Sequence, residues 1–289
     1  FKKPDLEPLK KATLTVAKAL KIRSKNHNKS IPIVIYESTV YPGTTEEICI
    51  PIIEEESGLI YNKPSFKDTF VSGYSPERIN PGDKKHRLKD IVKVTSGSNN
   101  DAAKWIDCFY GSIIKAGTYS TKDIKTAEAA KIIENTQRDI NIAFMNEILM
   151  VSKKLNLNFK EVIKLAKTKW NFLNFSPGLV GGHCLPVDPF YLYHLAKRRN
   201  YNAKFMLAGR SVNDEVSKFI KDEIKKKIRK IKANKILILG LSYKANVADS
   251  RNSLAIKIYL DLKKIYKKNL FGYDPIIDQK NQKKYNLIK

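Results

Sequence analysis

Four short stretches hold residues whose types and spacing suit chemistry. The first is the loop Gly178-Leu179-Val180-Gly181-Gly182-His183-Cys184-Leu185-Pro186-Val187-Asp188-Pro189. A thiolate adds to an aldehyde, and a nearby carboxylate acts as a general base. Glycines let backbone approach a ligand closely, and prolines stiffen the path carrying Cys184 and Asp188. The same composition also describes a turn with an inert cysteine. His183 and Cys184 adjoin, but a zinc site needs two further ligands at suitable spacing and none is in view. The second stretch is Glu128, Lys131, Asn135 and Arg138, whose steps of three, four and three place all four on one helix face. A cation beside an amide stabilises a developing oxyanion, and Asn is a poor residue for mid-helix without a task. A solvated face with a Glu–Lys pair fits the spacing equally well.

The third is Glu37-Ser38-Thr39-Val40-Tyr41-Pro42-Gly43-Thr44, where a buried strand ends. Ligands bind at that edge of open α/β sheets, so Thr39 is a candidate for holding a water or a phosphate; ordinary turn chemistry is the alternative. Glu77, in Ser-Pro-Glu-Arg-Ile, is either a catalytic carboxylate or a surface ion-pair partner. The fourth is Gly240-Leu241-Ser242-Tyr243-Lys244 followed by Asp249-Ser250-Arg251. A basic residue just past a strand is well placed for a phosphate, although spacing alone is a weak signal.

The elements that must position these residues follow from hydrophobic periodicity. Residues 5–21 read as a helix, and a polar loop rich in Lys, Asn and Ser follows it. The continuous apolar run 31–38 suits a parallel strand buried on both faces. Thr44 to Glu47 begins a helix, and 70–74 is a short strand. From 124 to 155 the pattern is one long helix, with Ala127, Ala130, Ile133, Ile140, Phe144, Ile148 and Val151 as its apolar face. A short helix near 159–167, an irregular loop 169–189 and two more helices follow, the second from about 205 to 231. A new strand–helix–strand unit then occupies 235–275.

Composition narrows the function classes. The 289 residues carry 54 Lys and Arg against 29 Asp and Glu, for a net charge of +25, with 42% hydrophobic residues. That apolar fraction suits packed cores and not a disordered chain. No run approaches the roughly 18 to 20 apolar residues of a membrane span. Nine of the 54 basic residues are Arg, the rest Lys spread along the chain. No basic cluster interleaves with aromatics, so nucleic acid is not the expected partner. The three cysteines, 49, 108 and 184, make no disulfide framework and suit a reducing compartment.

Taken together the stretches carry a specific likeness. Ala-Glu-Ala-Ala-Lys-Ile-Ile-Glu-Asn-Thr-Gln-Arg (127–138), Gly-Gly-His-Cys-Leu-Pro-Val-Asp-Pro (181–189) and Leu-Gly-Leu-Ser-Tyr-Lys (239–244) occur in order. The chain resembles the UDP-glucose/GDP-mannose dehydrogenase family over nearly its whole length. Pro-Gly-Thr-Thr-Glu-Glu, Ser-Pro-Glu-Arg-Ile-Asn-Pro-Gly and Lys-Trp-Asn-Phe-Leu look most like its bacterial UDP-N-acetylhexosamine branch. The resemblance implies an α/β chain in three parts. Residues 1–123 would be the C-terminal part of a Rossmann-like NAD-binding domain, 124–232 a central helical domain that dimerises and carries the cysteine loop, and 233–289 a partial UDP-sugar-binding domain.

It also implies a chemistry: NAD-dependent double oxidation of C6 of a UDP-sugar to the uronic acid, for surface polysaccharide precursors, by a cytoplasmic homodimer. Cys184 would form a thiohemiacetal and then a thioester. Asp188, with Thr39 or Glu77, would handle protons through water, and Lys131 and Asn135 would stabilise oxyanions. Gly181 and Lys244 join Lys131 and Asn135 in contacting the substrate; Thr39, Glu77 and Arg251 contact the cofactor. Two departures stand out. The family's Gly-x-Gly-x-x-Gly phosphate loop occurs nowhere in this chain, so a fragment with little activity alone is expected, cut also at its C-terminus. Pro81 stands where the UDP-glucose branch often has a second Glu. UDP-glucose as substrate and a non-catalytic UDP-sugar-binding remnant are the alternative readings.

Overall fold

A computed structural model describes residues 4–25, 30–64 and 67–288. The chain's opening at 1–3 and part of the polar loop after the first helix lie outside the described residues. The chain divides into two compact units, Phe1–Glu134 with Phe190–Tyr201, and Asn135–Pro189 with Asn202–Lys289.

The first unit is a sheet with helices on it. Helix α1 (Glu7–Lys25) is followed by strand β1 (Ile33–Tyr36), a π-helical turn (Thr45–Cys49) and helix α2 (Ile50–Ser57). Then come β2 (Ile60–Tyr61), β3 (Thr69–Tyr74), β4 (Lys93–Gly97), α3 (Asn100–Gly111) and β5 (Thr118–Thr121). The apolar residues of α1, β1, α2 and β3 meet in one core built on Ala17, Leu20, Val34, Ile50, Ile53, Leu59 and Phe70. The sheet order is β1-β3-β4-β5, with β2 also on β3. β1 and β3 run parallel, with Ile33 opposite Val71 and Tyr36 opposite Tyr74. β4 pairs antiparallel with β3 through Gly73 opposite Gly97. That reversal stands among pairs that are otherwise parallel. The cause is local: the stretch from Ser75 to Val92 holds only a three-residue 3-10 turn (Leu88–Asp90) and no crossover helix to bring β4 back parallel.

Two helices run from one unit into the other. α4 (Ile124–Lys154) leaves the first and continues into the second, and α6 (Asp188–Arg198) begins in the second and returns. Between them is α5 (Phe159–Ala166); after them come α7 (Lys204–Ile231), β6 (Ile236–Leu239), α8 (Leu254–Tyr266), β7 (Leu270–Tyr273) and α9 (Gln279–Tyr285). β6 and β7 pair in parallel, Ile236 opposite Leu270. A two-stranded sheet with so little apolar surface cannot bury its own face. It shares a core of Leu241, Ile256, Tyr259, Leu262, Leu270 and Ile277 with Ile220 and Ile224 of α7 and with Leu179 of the long loop. That shared core seats the loop of residues 169–187 against the last strand–helix–strand unit.

Candidate active site

The polar stripe on α4 is not a solvated face. Glu128 is 0% exposed, Lys131 8% and Asn135 4%. Arg138 is half-buried, and much of the helix's apolar face looks outward instead, with Ile133 and Phe144 each 54% exposed. Each buried polar group therefore needs a partner, because desolvating it otherwise costs about 1–3 kcal/mol.

Asn135 finds its partner in the cysteine loop. Its Nδ2 donates to Asp188 Oδ2 at 2.6 Å, and Asp188, the first residue of α6, is itself 3% exposed. A carboxylate in the first turn of a helix faces the positive end of the dipole. The turn between Cys184 and Asp188 is closed by the backbone N–H groups of Val187 and Asp188, both donating to the Cys184 carbonyl at 2.9 and 2.8 Å. Cys184 is exposed, and none of the three cysteines is in a disulfide. Two glycines of the loop, Gly181 and Gly182, have identifiable tasks. Gly182 sits at φ +88°, and a Cβ there would lie 2.8 Å from the Tyr243 ring. A Cβ on Gly181 would lie 2.8 Å from the Asn252 carbonyl oxygen. Only glycine allows that approach.

Farther back the loop is clamped by a residue that periodicity does not single out. Asn146 donates from Nδ2 to the Gly178 carbonyl at 3.0 Å and accepts from the Gly178 N–H at 2.9 Å, the pairing one strand makes with another. The same amide donates to Asn213 Oδ1 at 2.8 Å, and Asn213 donates to Asp139 Oδ1 at 2.8 Å. Asp139 also takes Arg210 Nη1 at 2.6 Å. Burial pushes the Asp139 carboxyl above its ordinary range, with the Arg210 guanidinium opposing the rise. This chain ties α4, α7 and the loop together inside the second unit.

The segment after β6 is held in the same unit. Asp274 accepts from the Leu241 and Ser242 N–H groups at 2.7 and 2.8 Å and so fixes the turn that carries Lys244. Burial acts to raise the Asp274 carboxyl, but these N–H donors prevail and hold it below the ordinary range. Lys244 is half-buried. Arg251 grips Asp249 through Nε and Nη2, the latter at 2.8 Å, and His183 Nε2 lies 3.0 Å from Asp249 Oδ2. Arg251's hydrogen bonds to Asp249 hold that carboxyl well below the usual carboxylate range, His183 adding to the effect against some burial.

In the first unit, Thr39 and Glu77 follow the adjacent parallel strands β1 and β3 at their carboxyl ends, the edge expected for ligands. Thr39 is half-buried; Glu77 is exposed, and its Oε1 accepts from the Ile79 N–H at 2.6 Å. Glu128, from α4, accepts from the Gly43 N–H at 2.5 Å and from the N–H and hydroxyl of Thr45 at 2.9 and 2.6 Å. It thereby pins the turn after Thr39. Burial raises the Glu128 carboxyl, and the Thr45 and Gly43 donors offset part of that rise. Two groups that the sequence reading passed over stand at this edge. Lys93, its side chain 4% exposed, donates to Glu37 at 3.1 Å, and the Tyr110 hydroxyl donates to the same carboxylate at 2.5 Å. Arg78, next to Glu77, donates from Nε to Glu134 of α4 at 3.0 Å.

The expected site residues thus fall into two groups. Cys184, Asp188, Asn135, Gly181, Lys244 and Arg251 belong to the second unit, and Thr39, Glu77 and Lys131 to the first. Among the described residues no group of three or more His, Cys, Asp or Glu is placed to hold a metal ion, and no helix is long and apolar enough to cross a membrane.

Comparison with known proteins divides the chain differently, into three parts. Residues 2–114 match the NAD-binding domain of the UDP-glucose/GDP-mannose dehydrogenase family, 125–215 its central domain and 237–289 its UDP-binding domain. The UDP-N-acetyl-D-glucosamine 6-dehydrogenase of Salmonella typhi is 46% identical over 293 aligned residues, covering 100% of this chain and 66% of that protein. The enzyme of the same name from Pseudomonas aeruginosa is 48% identical over 266, covering 90% and 60%. A solved UDP-D-ManNAc dehydrogenase from Pyrococcus horikoshii superposes with a TM-score of 0.79 at 31% identity, covering 96% of this chain and 63% of that one. The chain therefore spans a little under two thirds of the length of the relatives it matches. With the cysteine loop, the buried α4 stripe and all three domain matches in the same order along one chain, it belongs to the UDP-glucose/GDP-mannose dehydrogenase family.

Proposed function

We propose that this protein oxidises C6 of a UDP-N-acetylhexosamine to the carboxylate, with Cys184 as the covalent nucleophile. The observation that carries the proposal is the buried Asn135–Asp188 hydrogen bond under an exposed Cys184, on a loop that two glycines seat against Tyr243 and Asn252. Cys184 is thereby presented outward on a fixed backbone, and a carboxylate is held four residues away by an amide on α4.

The reaction balances as two two-electron oxidations. The C6 alcohol loses a hydride, and its hydroxyl proton leaves through water to Asp188. The Cys184 sulfur adds to the aldehyde, giving a thiohemiacetal. Loss of a second hydride gives the thioester, and water, deprotonated with the help of Asp188 or Glu77, releases the uronate and the thiol. Lys131 and Asn135, one turn apart on α4, stabilise the oxyanions, with each donor contributing about 3–4 kcal/mol in comparable sites. Lys244 and Gly181 take the substrate.

Two NAD+ molecules, bound in succession, would each accept one hydride. The ends of β1 and β3 fit a dinucleotide in kind, since Thr39 and Glu77 stand at the carboxyl edge of a parallel strand pair. The chain holds no glycine-rich loop for the pyrophosphate, so these residues supply only part of a cofactor site. Arg251 is assigned to the cofactor; that role requires it to leave Asp249.

The three-part division at residues 123 and 232 belongs to this proposal. So does a homodimer in the cytoplasm built on α4, which the outward Ile133, Phe144 and Val151 support. The test is acid quenching of the native protein during turnover with UDP-N-acetylglucosamine and NAD+, followed by mass spectrometry of the Cys184 peptide. A uronyl adduct on that peptide is expected. An unmodified Cys184 during active turnover refutes the covalent route.

A further inference from the structure

We propose that the amino-terminal edge of the β6–β7 sheet, together with the last turns of α7 and α8, is a docking surface for an anionic lipid bilayer.

The topology gathers cationic residues that are distant in sequence, all within the second unit. β6 and β7 pair in parallel with Ile236 opposite Leu270, so the chain enters both strands at one edge. It reaches β6 from the end of α7, and it reaches β7 from α8 through a 3-10 turn, Lys267–Asn269. Eleven of the eighteen residues in 225–235 and 263–269 are Lys or Arg, and none is Asp or Glu. Lys225 and Lys226 pair with Asp222 and Glu223 one turn back on α7. Lys227, Arg229, Lys230, Lys232, Lys267 and Lys268 are exposed and make no ion pair among the described residues. A helix dipole favours cations in the last turn, which accounts for Arg229 and Lys230 of α7 and for Lys263 and Lys264 of α8. It gives no reason for Lys235 and Lys268, which lie past the caps at Lys232 and Lys267. Cations crowded in this way repel one another, and an anionic surface removes that cost.

The neighbouring apolar side chains select the kind of surface. Ile231, the last residue of α7, is 58% exposed, and Ile265, in the last turn of α8, is 53% exposed. Isoleucine offers a phosphate backbone no hydrogen bond, but it enters the acyl boundary of a membrane while lysine ammonium groups stay at headgroup level. Single-stranded nucleic acid calls instead for Arg and for aromatics on which bases stack. Arg229 is the one Arg of the eleven, and Tyr266, the one aromatic of the two segments, packs against the core. Clusters of about four to eight basic residues read as sites for anionic lipids. The candidate active site stands at the other end of the same strands, where Asp274, just past β7, holds the N–H groups of Leu241 and Ser242 just past β6. Docking through the amino-terminal edge leaves the turn that carries Lys244 at the end away from the bilayer.

The test is co-sedimentation of the native full-length protein with vesicles of equal parts phosphatidylglycerol and phosphatidylcholine, and with vesicles of phosphatidylcholine alone. Binding to the mixed vesicles only is expected, weakened about tenfold or more between about 0.1 M and about 1 M salt. Arg229→Gln, Lys230→Gln, Lys267→Gln and Lys268→Gln combined should weaken it about tenfold or more at an unchanged melting temperature. If that variant does not fold, Lys267→Gln with Lys268→Gln, outside both α-helices, takes its place. The charge-matched control replaces four exposed lysines of the first unit, Lys11, Lys18, Lys104 and Lys122, by Gln and should bind as the wild type does. Ile231→Gln with Ile265→Gln should weaken binding about fourfold or more, the share of a single buried methylene. Equal binding to both kinds of vesicle, or an equal loss in the control, would show that this edge is not the docking surface. Binding to single-stranded RNA without binding to the mixed vesicles would assign the edge to nucleic acid and overturn the proposal.

Discussion

Cys184 is exposed, whereas Asp188 and Asn135, the residues proposed to work with it, are both buried. The Asn135–Asp188 contact explains why a poor helix former occupies mid-α4: the amide's partner lies 53 residues away. Spacing in the sequence shows that Glu128, Lys131, Asn135 and Arg138 share a face, but a period cannot say whether that face is wet or dry. Only the packing decides it. Two outcomes follow at this scale. Cys184→Ser should leave UDP-sugar binding close to wild type and stop formation of the uronate, because a serine ester forms and hydrolyses slowly. Uronate formed at the wild-type rate would make Cys184 structural. If Asn135 is the oxyanion donor proposed, Asn135→Ala should slow turnover about a hundredfold, and it also takes the amide partner from Asp188. An unchanged rate with an unchanged melting temperature would return Asn135 to packing.

The elements were more legible than their contacts. The long helix, expected over 124–155, spans Ile124–Lys154, and the strand expected at 70–74 spans Thr69–Tyr74. Strong periodicity and Gly–Pro punctuation carry that much. The antiparallel return of β4 was not legible, because a loop's lack of a crossover helix is visible only once the loop is known to be irregular. The clamp of Asn146 on Gly178 spans 32 residues, and Asp274 reaches 33 residues back to Leu241, distances no local pattern encodes. Asn146→Ala should cost about 1–3 kcal/mol, because it removes both partners of the half-buried Gly178 peptide groups and the donor to buried Asn213. It should also loosen the Cys184 loop, read as faster hydrogen exchange at residues 178–184; protection equal to wild type there would contradict the clamp. The Asp249 contacts predict a pH dependence. A carboxyl held below its unfolded value adds stability above about pH 3.9 that is lost as pH falls through its folded value. Asp249→Asn should therefore flatten the acid limb of a melting-temperature profile below that pH, and an unaltered limb would contradict the pairing.

At the scale of the whole molecule, two helices, α4 and α6, have residues in both compact units. The outward apolar residues of α4 belong to this scale too. Ile133→Lys with Phe144→Lys should shift the native protein toward monomer in sedimentation velocity, and a wild type that sediments as a monomer would remove α4 as a dimer core. The catalytic account itself is tested most directly by stoichiometry. Native protein is given a limiting amount of UDP-N-acetylglucosamine with excess NAD+, and NADH and uronate are counted at completion. Two NADH per uronate, with no free aldehyde released, is the result expected of a single site that holds its intermediate on Cys184. One NADH per substrate with the aldehyde as final product would contradict it.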